Sequence, residues 1–174
     1  MALETDRVLT WPDGSVYKIT CSSEETSGSE LEMELELPAG GWAPQPHVHP
    51  NLTEEYEVLE GSFEVLVENE WRTLGEGESA SVPPGTVHTF RVGAAPVRVR
   101  NVHQPALDFE PYIKKLCRTA NERNLHDLSG FRSLIYIAML VNQYPRHSKA
   151  PGRLLNAAVG PLARIGRLCG LKTA

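Results

Sequence analysis

Long apolar runs are missing from this sequence. The longest, Leu134–Val141, falls well short of the ~18 residues that a membrane-spanning helix needs. Cysteine is scarce. Cys21, Cys117 and Cys169 are odd in number and far apart, which excludes a disulfide framework and a cysteine zinc motif. The first fifteen residues, MALETDRVLTWPDGS, lack a basic stretch followed by an apolar one, so no secretory leader is expected and a reducing cytoplasm is the expected location. No strand interleaves basic with aromatic residues, which argues against a nucleic-acid surface.

Charge is present but divided. Residues 1–104 hold 6 Lys+Arg and 18 Asp+Glu, a net of −12, and residues 105–174 hold 11 and 4, a net of +7, which together give the −5 of the chain. The acidic half further disfavours nucleic acid. The basic residues of the second half are spread among apolar ones, so they read as a helical surface that packs or is solvated.

The first half reads as β-structure. RVLTW and SVYKITC flank the turn PDG, a hairpin signal. Glu30–Leu37 alternates without a break, with Leu31, Met33, Leu35 and Leu37 on one face and glutamates on the other, which predicts a strand with one buried face. Further strands follow in YEVLEGSFEVLVENEWRTL, with a junction at Glu60–Gly61, and in SASVPPGTVHTFRV and APVRVRNVH. Many short strands without intervening helices imply a sandwich or barrel. After Pro105 the period changes. Tyr112, Ile113, Leu116 and Ala120 form one helical stripe, residues 129–144 read as a second helix apolar on most sides and so buried, and residues 153–170 as a third, kinked or interrupted at Gly160–Pro161. The expectation is a mostly β fold, a small antiparallel barrel over 1–104, with about three C-terminal helices over 105–174. Those helices are expected to pack on the barrel or on a dimer partner, since left free they would expose a large apolar patch.

The chemistry lies in PQPHVHPNLTEEYEVLEG, Pro44 to Gly61. Residues i and i+2 of a strand share a face, so His47 and His49 point together with Cα atoms about 6.5–7 Å apart. Two imidazoles so placed reach one ion at bond lengths of roughly 2.0–2.1 Å. A hairpin reversal at Pro50–Thr53 is expected to return Glu54 beside them. His88 follows the turn in VPPGTVH. The proposed ligand set is His47, His49, Glu54 and His88. Three neutral imidazoles and one carboxylate leave about one positive charge on a divalent ion, and an octahedral ion keeps two positions for other ligands. His103 shares strand parity with Val97, Val99 and Asn101. It is a weak catalytic candidate at the cavity mouth, where a capped or solvated side chain is the simpler expectation. Tyr56 is the other weak candidate. Tyr56, Phe90 and Val92 are expected to line the substrate pocket or fill the core. His126 and His147 have no sign of a site role.

These residues resemble the two motifs of the cupin superfamily. Gly41, His47, His49, Glu54 and Gly61 fit G-x5-H-x-H-x4-E-x6-G. Gly77, Pro83, Gly85 and His88 fit G-x5-P-x-G-x2-H-x3-N, with Val92 in place of the final Asn. The resemblance spans roughly residues 28–104 and implies a jelly-roll barrel with one divalent transition metal inside. It also implies a small-molecule substrate and a homodimer. Imidazole and carboxylate suit iron, manganese, nickel and zinc alike. Fe(II) is favoured, in a mononuclear non-haem dioxygenase acting on a flavonol- or diketone-like molecule. A non-redox cyclase, isomerase or dehydratase of polyketide-cyclase type is the alternative, and a binding protein without turnover is a third reading. Fold alone does not choose among them.

Overall fold

The computed structural model describes residues 7–174. Ten strands precede three helices: β1 Val8–Thr10, β2 Val16–Cys21, β3 Leu31–Leu37, β4 His47–Val48, β5 Thr53–Glu60, β6 Ser62–Val67, β7 Glu70–Gly75, β8 Ser79–Val82, β9 Val87–Val92 and β10 Val97–Gln104, then α1 Phe109–Glu122, α2 Phe131–Gln143 and α3 Arg153–Leu168. The strands form two antiparallel sheets, one in the order β1-β2-β3-β10-β5-β8 and the other β4-β9-β6-β7.

Alternation carries the barrel. On β3 the residues Leu31, Met33, Leu35 and Leu37 are buried, in register with Val97, Val99, Asn101 and His103 on β10. The outward glutamates of β3 pair across the sheet: Glu34 with Arg98 at 3.1 Å, Glu32 with Arg100 and Glu36 with Lys18. The PDG turn closes a β1–β2 hairpin, Thr10 opposite Val16, and Asp13 accepts the backbone N–H of Ser15 at 3.1 Å and of Trp42 at 2.6 Å.

Sheet crossings place the site. The chain passes from the smaller sheet to the larger between β4 and β5, returns between β5 and β6, passes to the larger sheet again between β7 and β8, and returns between β8 and β9. The second crossing needs Gly61, whose φ is +88° and where a Cβ would stand 2.9 Å from the Pro96 carbonyl oxygen. The first corrects the expected hairpin. β4 pairs with β9, His47 opposite His88, whereas β5 pairs with β10 and β8. Pro50 has no N–H to extend a ladder, and fully buried Leu52 anchors the crossing. Glu54 therefore meets the histidines from the opposite sheet.

α1 buries Tyr112, Ile113, Leu116 and Ala120 as its stripe predicts. It lies against the barrel, where Asn121 donates its side-chain N–H to the Thr10 carbonyl at 2.9 Å. α2 is buried through its middle, at Ile135, Tyr136, Ala138, Met139 and Leu140, and its exposed residues lie toward its ends, Phe131 among them. One helical expectation is corrected. α3 runs through Gly160–Pro161 without a break. Pro161 and Ala157 both lie at the exposed face, where water can satisfy the carbonyl that loses its N–H partner. α3 grips α2 at buried Ala163 and at Gly166, where a Cβ would stand 2.6 Å from the Met139 sulfur.

Candidate metal centre

His47 on β4 and His88 on β9 face each other in register. His49 lies one residue beyond β4 and Glu54 is the second residue of β5. The three imidazole centroids are 4.8, 4.3 and 4.9 Å apart. One ligand atom from each of the four side chains lies within 4.8 Å of every other. His49, Glu54 and His88 are buried and His47 is partly exposed, so the cluster is open on the His47 side.

The outer hydrogen bonds fix what the ring nitrogens can do. His47 Nδ1 lies 2.9 Å from the Gln45 carbonyl, His88 Nδ1 3.0 Å from that of Thr86 and His49 Nδ1 2.5 Å from that of His147. A carbonyl only accepts, so each Nδ1 carries the proton and a neutral ring presents a lone pair at Nε2. Metal-bound histidines are oriented in this way.

Glu54 is held from behind. Its Oε1 accepts from Asn101 Nδ2 at 2.9 Å and lies 3.2 Å from His103 Nε2. Its Oε2 faces His88 Nε2 at 2.8 Å and His49 Nε2 at 3.2 Å. Lone pairs of two imidazoles and a carboxylate thus converge, and buried His49 Nε2 has no hydrogen-bond partner. One proton relieves one contact, whereas a divalent cation satisfies all four groups. The donor set fits such an ion.

The electrostatics agree. Burial pushes the His47 imidazole well below its ordinary range, and its neighbours His49 and His88 push it further. Burial opposes ionisation of Glu54, but His103, with the neighbouring imidazoles of His49 and His88, outweighs it and holds the carboxyl well below the usual carboxylate range. Burial likewise opposes protonation of His88, yet the bond to Glu54 raises it overall. The centre attracts positive charge.

His103 is not at a mouth and is not solvated. It is fully buried and stacks on Phe109 at 3.8 Å. Tyr56 lies two residues beyond Glu54, and burial, with Glu54 nearby, drives its phenol well above the ordinary value. It packs on Phe63 at 5.3 Å and Phe90 at 6.2 Å. Phe90 and Val92 are buried in the same cluster. Two residues at the centre escaped the sequence reading. Asn101 had a signal, a polar residue at an inward position of β10. His147 had none, being 98 residues from His49, whose ring it holds through its carbonyl. His126 is exposed.

Residues 33–103 match the cupin domain family model. The chain is 29% identical over 113 residues to quercetin 2,3-dioxygenase of Bacillus subtilis, a match covering 65% of this chain and 32% of that protein, so it spans about a third of that relative's length. A crystal structure of an RmlC-like cupin from Shewanella frigidimarina is similar with a TM-score of 0.50 and 19% identity, over 61% of this chain and 89% of the other. KdgF from Halomonas sp. is similar with a TM-score of 0.47 and 24% identity, over 53% and 79%.

Proposed function

Because this chain carries a cupin domain over residues 33–103, we propose that it is a metal-dependent enzyme acting on a small organic molecule. The reading we favour is a mononuclear Fe(II) dioxygenase with a flavonol-like substrate. The convergence of the His49 and His88 Nε2 atoms on the Oε2 of Glu54, with a ligand atom of His47 within 4.8 Å of each, carries the metal reading. The likeness to quercetin 2,3-dioxygenase supports the choice of reaction and substrate class. His47, His49, Glu54 and His88 would hold the ion. Fe(II) would supply the redox step that lets dioxygen react with a closed-shell molecule, as manganese or nickel could, while zinc would only polarise the substrate.

The chain's own residues do the rest. Asn101 and His103 hold Glu54 Oε1, which leaves Oε2 facing the histidines. We therefore assign His103 to positioning. Tyr56, Phe90 and Val92 are the next inward residues on β5 and β9, and we assign them the apolar floor of the substrate space. Substrate enters on the partly exposed His47 side. Deep burial of the other groups excludes water from the carboxylate and strengthens its interactions.

A homodimer belongs to the same reading. Leu154, Ile165 and Leu168 leave a row of large side chains exposed along α3, and a second copy would cover it. Among the described residues no helix is long and apolar enough to cross a membrane. Cys21, Cys117 and Cys169 are free thiols, which suits the cytoplasm in which we place the protein.

The test is anaerobic reconstitution with Fe(II), addition of quercetin, then admission of oxygen. Oxygen consumed in step with loss of quercetin is the expected result. Substrate conversion without oxygen uptake would instead assign a non-redox cyclase or isomerase. A bound molecule returned unchanged would assign a binding protein.

A further inference from the structure

His47 and His88 take their Nδ1 acceptors from carbonyls two residues earlier in their own chain segments, Gln45 and Thr86. His49 does not. Its acceptor is the carbonyl of His147, between α2 and α3. Two residues further on, Lys149 and Val48 exchange two backbone hydrogen bonds: the Val48 N–H donates to the Lys149 carbonyl at 3.0 Å and the Lys149 N–H to the Val48 carbonyl at 2.8 Å. Residues 147–149 thus form a short antiparallel bridge along β4, beside the candidate ligands.

The His147 side chain pins this segment. It is fully buried, tilts on Tyr112 at 4.0 Å and meets Phe109 edge-on at 5.5 Å. Its Nδ1 lies 3.1 Å from Asp108 Oδ1, and Asp108 Oδ2 accepts the Arg146 backbone N–H at 3.2 Å. Asp108 occupies the N-cap position of α1 but makes no side-chain capping bond. Its carboxylate is turned to residues 146 and 147. Helix formation does not require that, whereas holding the segment against β4 does.

We propose that the helical extension is a working part of the metal centre: residues 147–149 orient His49, and Asp108 is the positioning residue that holds them there. This rests on the metal reading above. A donor that loses its acceptor turns more freely and binds more weakly; changes to such outer partners typically cost about 10–100-fold in metal affinity. Coupling of this kind is reciprocal, so an ion that favours the docked segment is favoured by it to the same degree.

Co(II) is the probe, because its visible spectrum reports ligand geometry, with hydrogen exchange at the Lys149 amide as a readout independent of activity. In the wild-type chain Co(II) slows that exchange. Asp108→Ala speeds it, weakens Co(II) binding by about 10–100-fold and alters the spectrum. Asp108→Asn keeps an oxygen for His147 Nδ1 and recovers most of the affinity. If Asp108→Ala does not fold, Lys149→Pro, which removes the N–H donated to Val48 and restricts the backbone there, gives the same comparison of affinity and spectrum, with exchange read at the Val48 amide, whose N–H donates to the residue 149 carbonyl. Faster exchange at Lys149 with unchanged affinity and spectrum overturns the proposal, as does wild-type exchange that ignores Co(II). A wild-type chain that takes up no Co(II) overturns the metal reading itself.

Discussion

Glu54→Gln separates the metal-binding role of this carboxylate from any structural role. The substitution preserves volume and removes one negative charge. Without an ion, a glutamine oxygen in the place of Oε1 still accepts from Asn101 Nδ2, now 2.9 Å away. Its amide group then donates toward the Nε2 lone pairs of His88 and His49, at the 2.8 and 3.2 Å now spanned by Oε2. Burial opposes the carboxylate's charge, but the imidazoles beside it more than offset this in the folded chain, so the ion-free variant should be modestly less stable than the wild type at neutral pH. With an ion the gap widens. A ligand at 1,000 times its Kd stabilises the folded state by about 4 kcal/mol, and a chain of this size gains roughly 2–4 °C per kcal/mol. The wild-type Tm should therefore rise by about 8–16 °C on saturation, whereas the variant should barely move. Thermal denaturation with and without Co(II) or Zn(II) reads both effects. A Glu54→Gln chain that keeps the full metal-induced shift would refute the reasoning.

Asn101→Leu removes the N–H that holds Glu54 Oε1. It should weaken metal binding by about 10–100-fold in a competition titration while the fold survives. Glu110 is buried at the start of α1, where it accepts from Ser22 Oγ at 2.9 Å and the Ser23 N–H at 2.8 Å and pairs with Lys114 at 2.9 Å. Burial opposes its charge, but the bonds from Ser23, Lys114 and Ser22 hold its pKa below the usual value. Its stabilisation is thus complete above the unfolded value of about 4.3 and disappears as pH falls through the lower folded value. Glu110→Gln should cost about 1.5–3 kcal/mol at pH 7, with the difference closing in urea titrations at acid pH. Leu154→Glu combined with Leu168→Glu should convert the proposed homodimer to monomer in sedimentation equilibrium without changing the circular dichroism of the chain.

The barrel was legible because alternation reports a buried face directly, as it does at Leu31–Leu37. The histidine pair, the carboxylate and His88 were legible because they lie close to turns that proline and glycine mark. Sheet membership was not. A hairpin and a crossing between sheets both fit Pro50–Thr53, and only the long-range pairing of β4 with β9 decides between them. Parity put His103 on the inward face of β10 but gave no depth along the barrel, so its place behind Glu54 went unread. The apolar content of α2 implied burial without saying how much of its surface the neighbours would cover. The carbonyl of His147 could not be read at all, since a backbone acceptor leaves no trace in residue type.

The shared cation is tested most directly by elemental analysis of the purified chain beside the His49→Ala/His88→Ala double variant, both after equilibration with Fe(II), Mn(II), Ni(II) and Zn(II). One divalent ion per wild-type chain and none in the variant is the predicted result. An empty wild-type chain, or equal metal content in both, would contradict it.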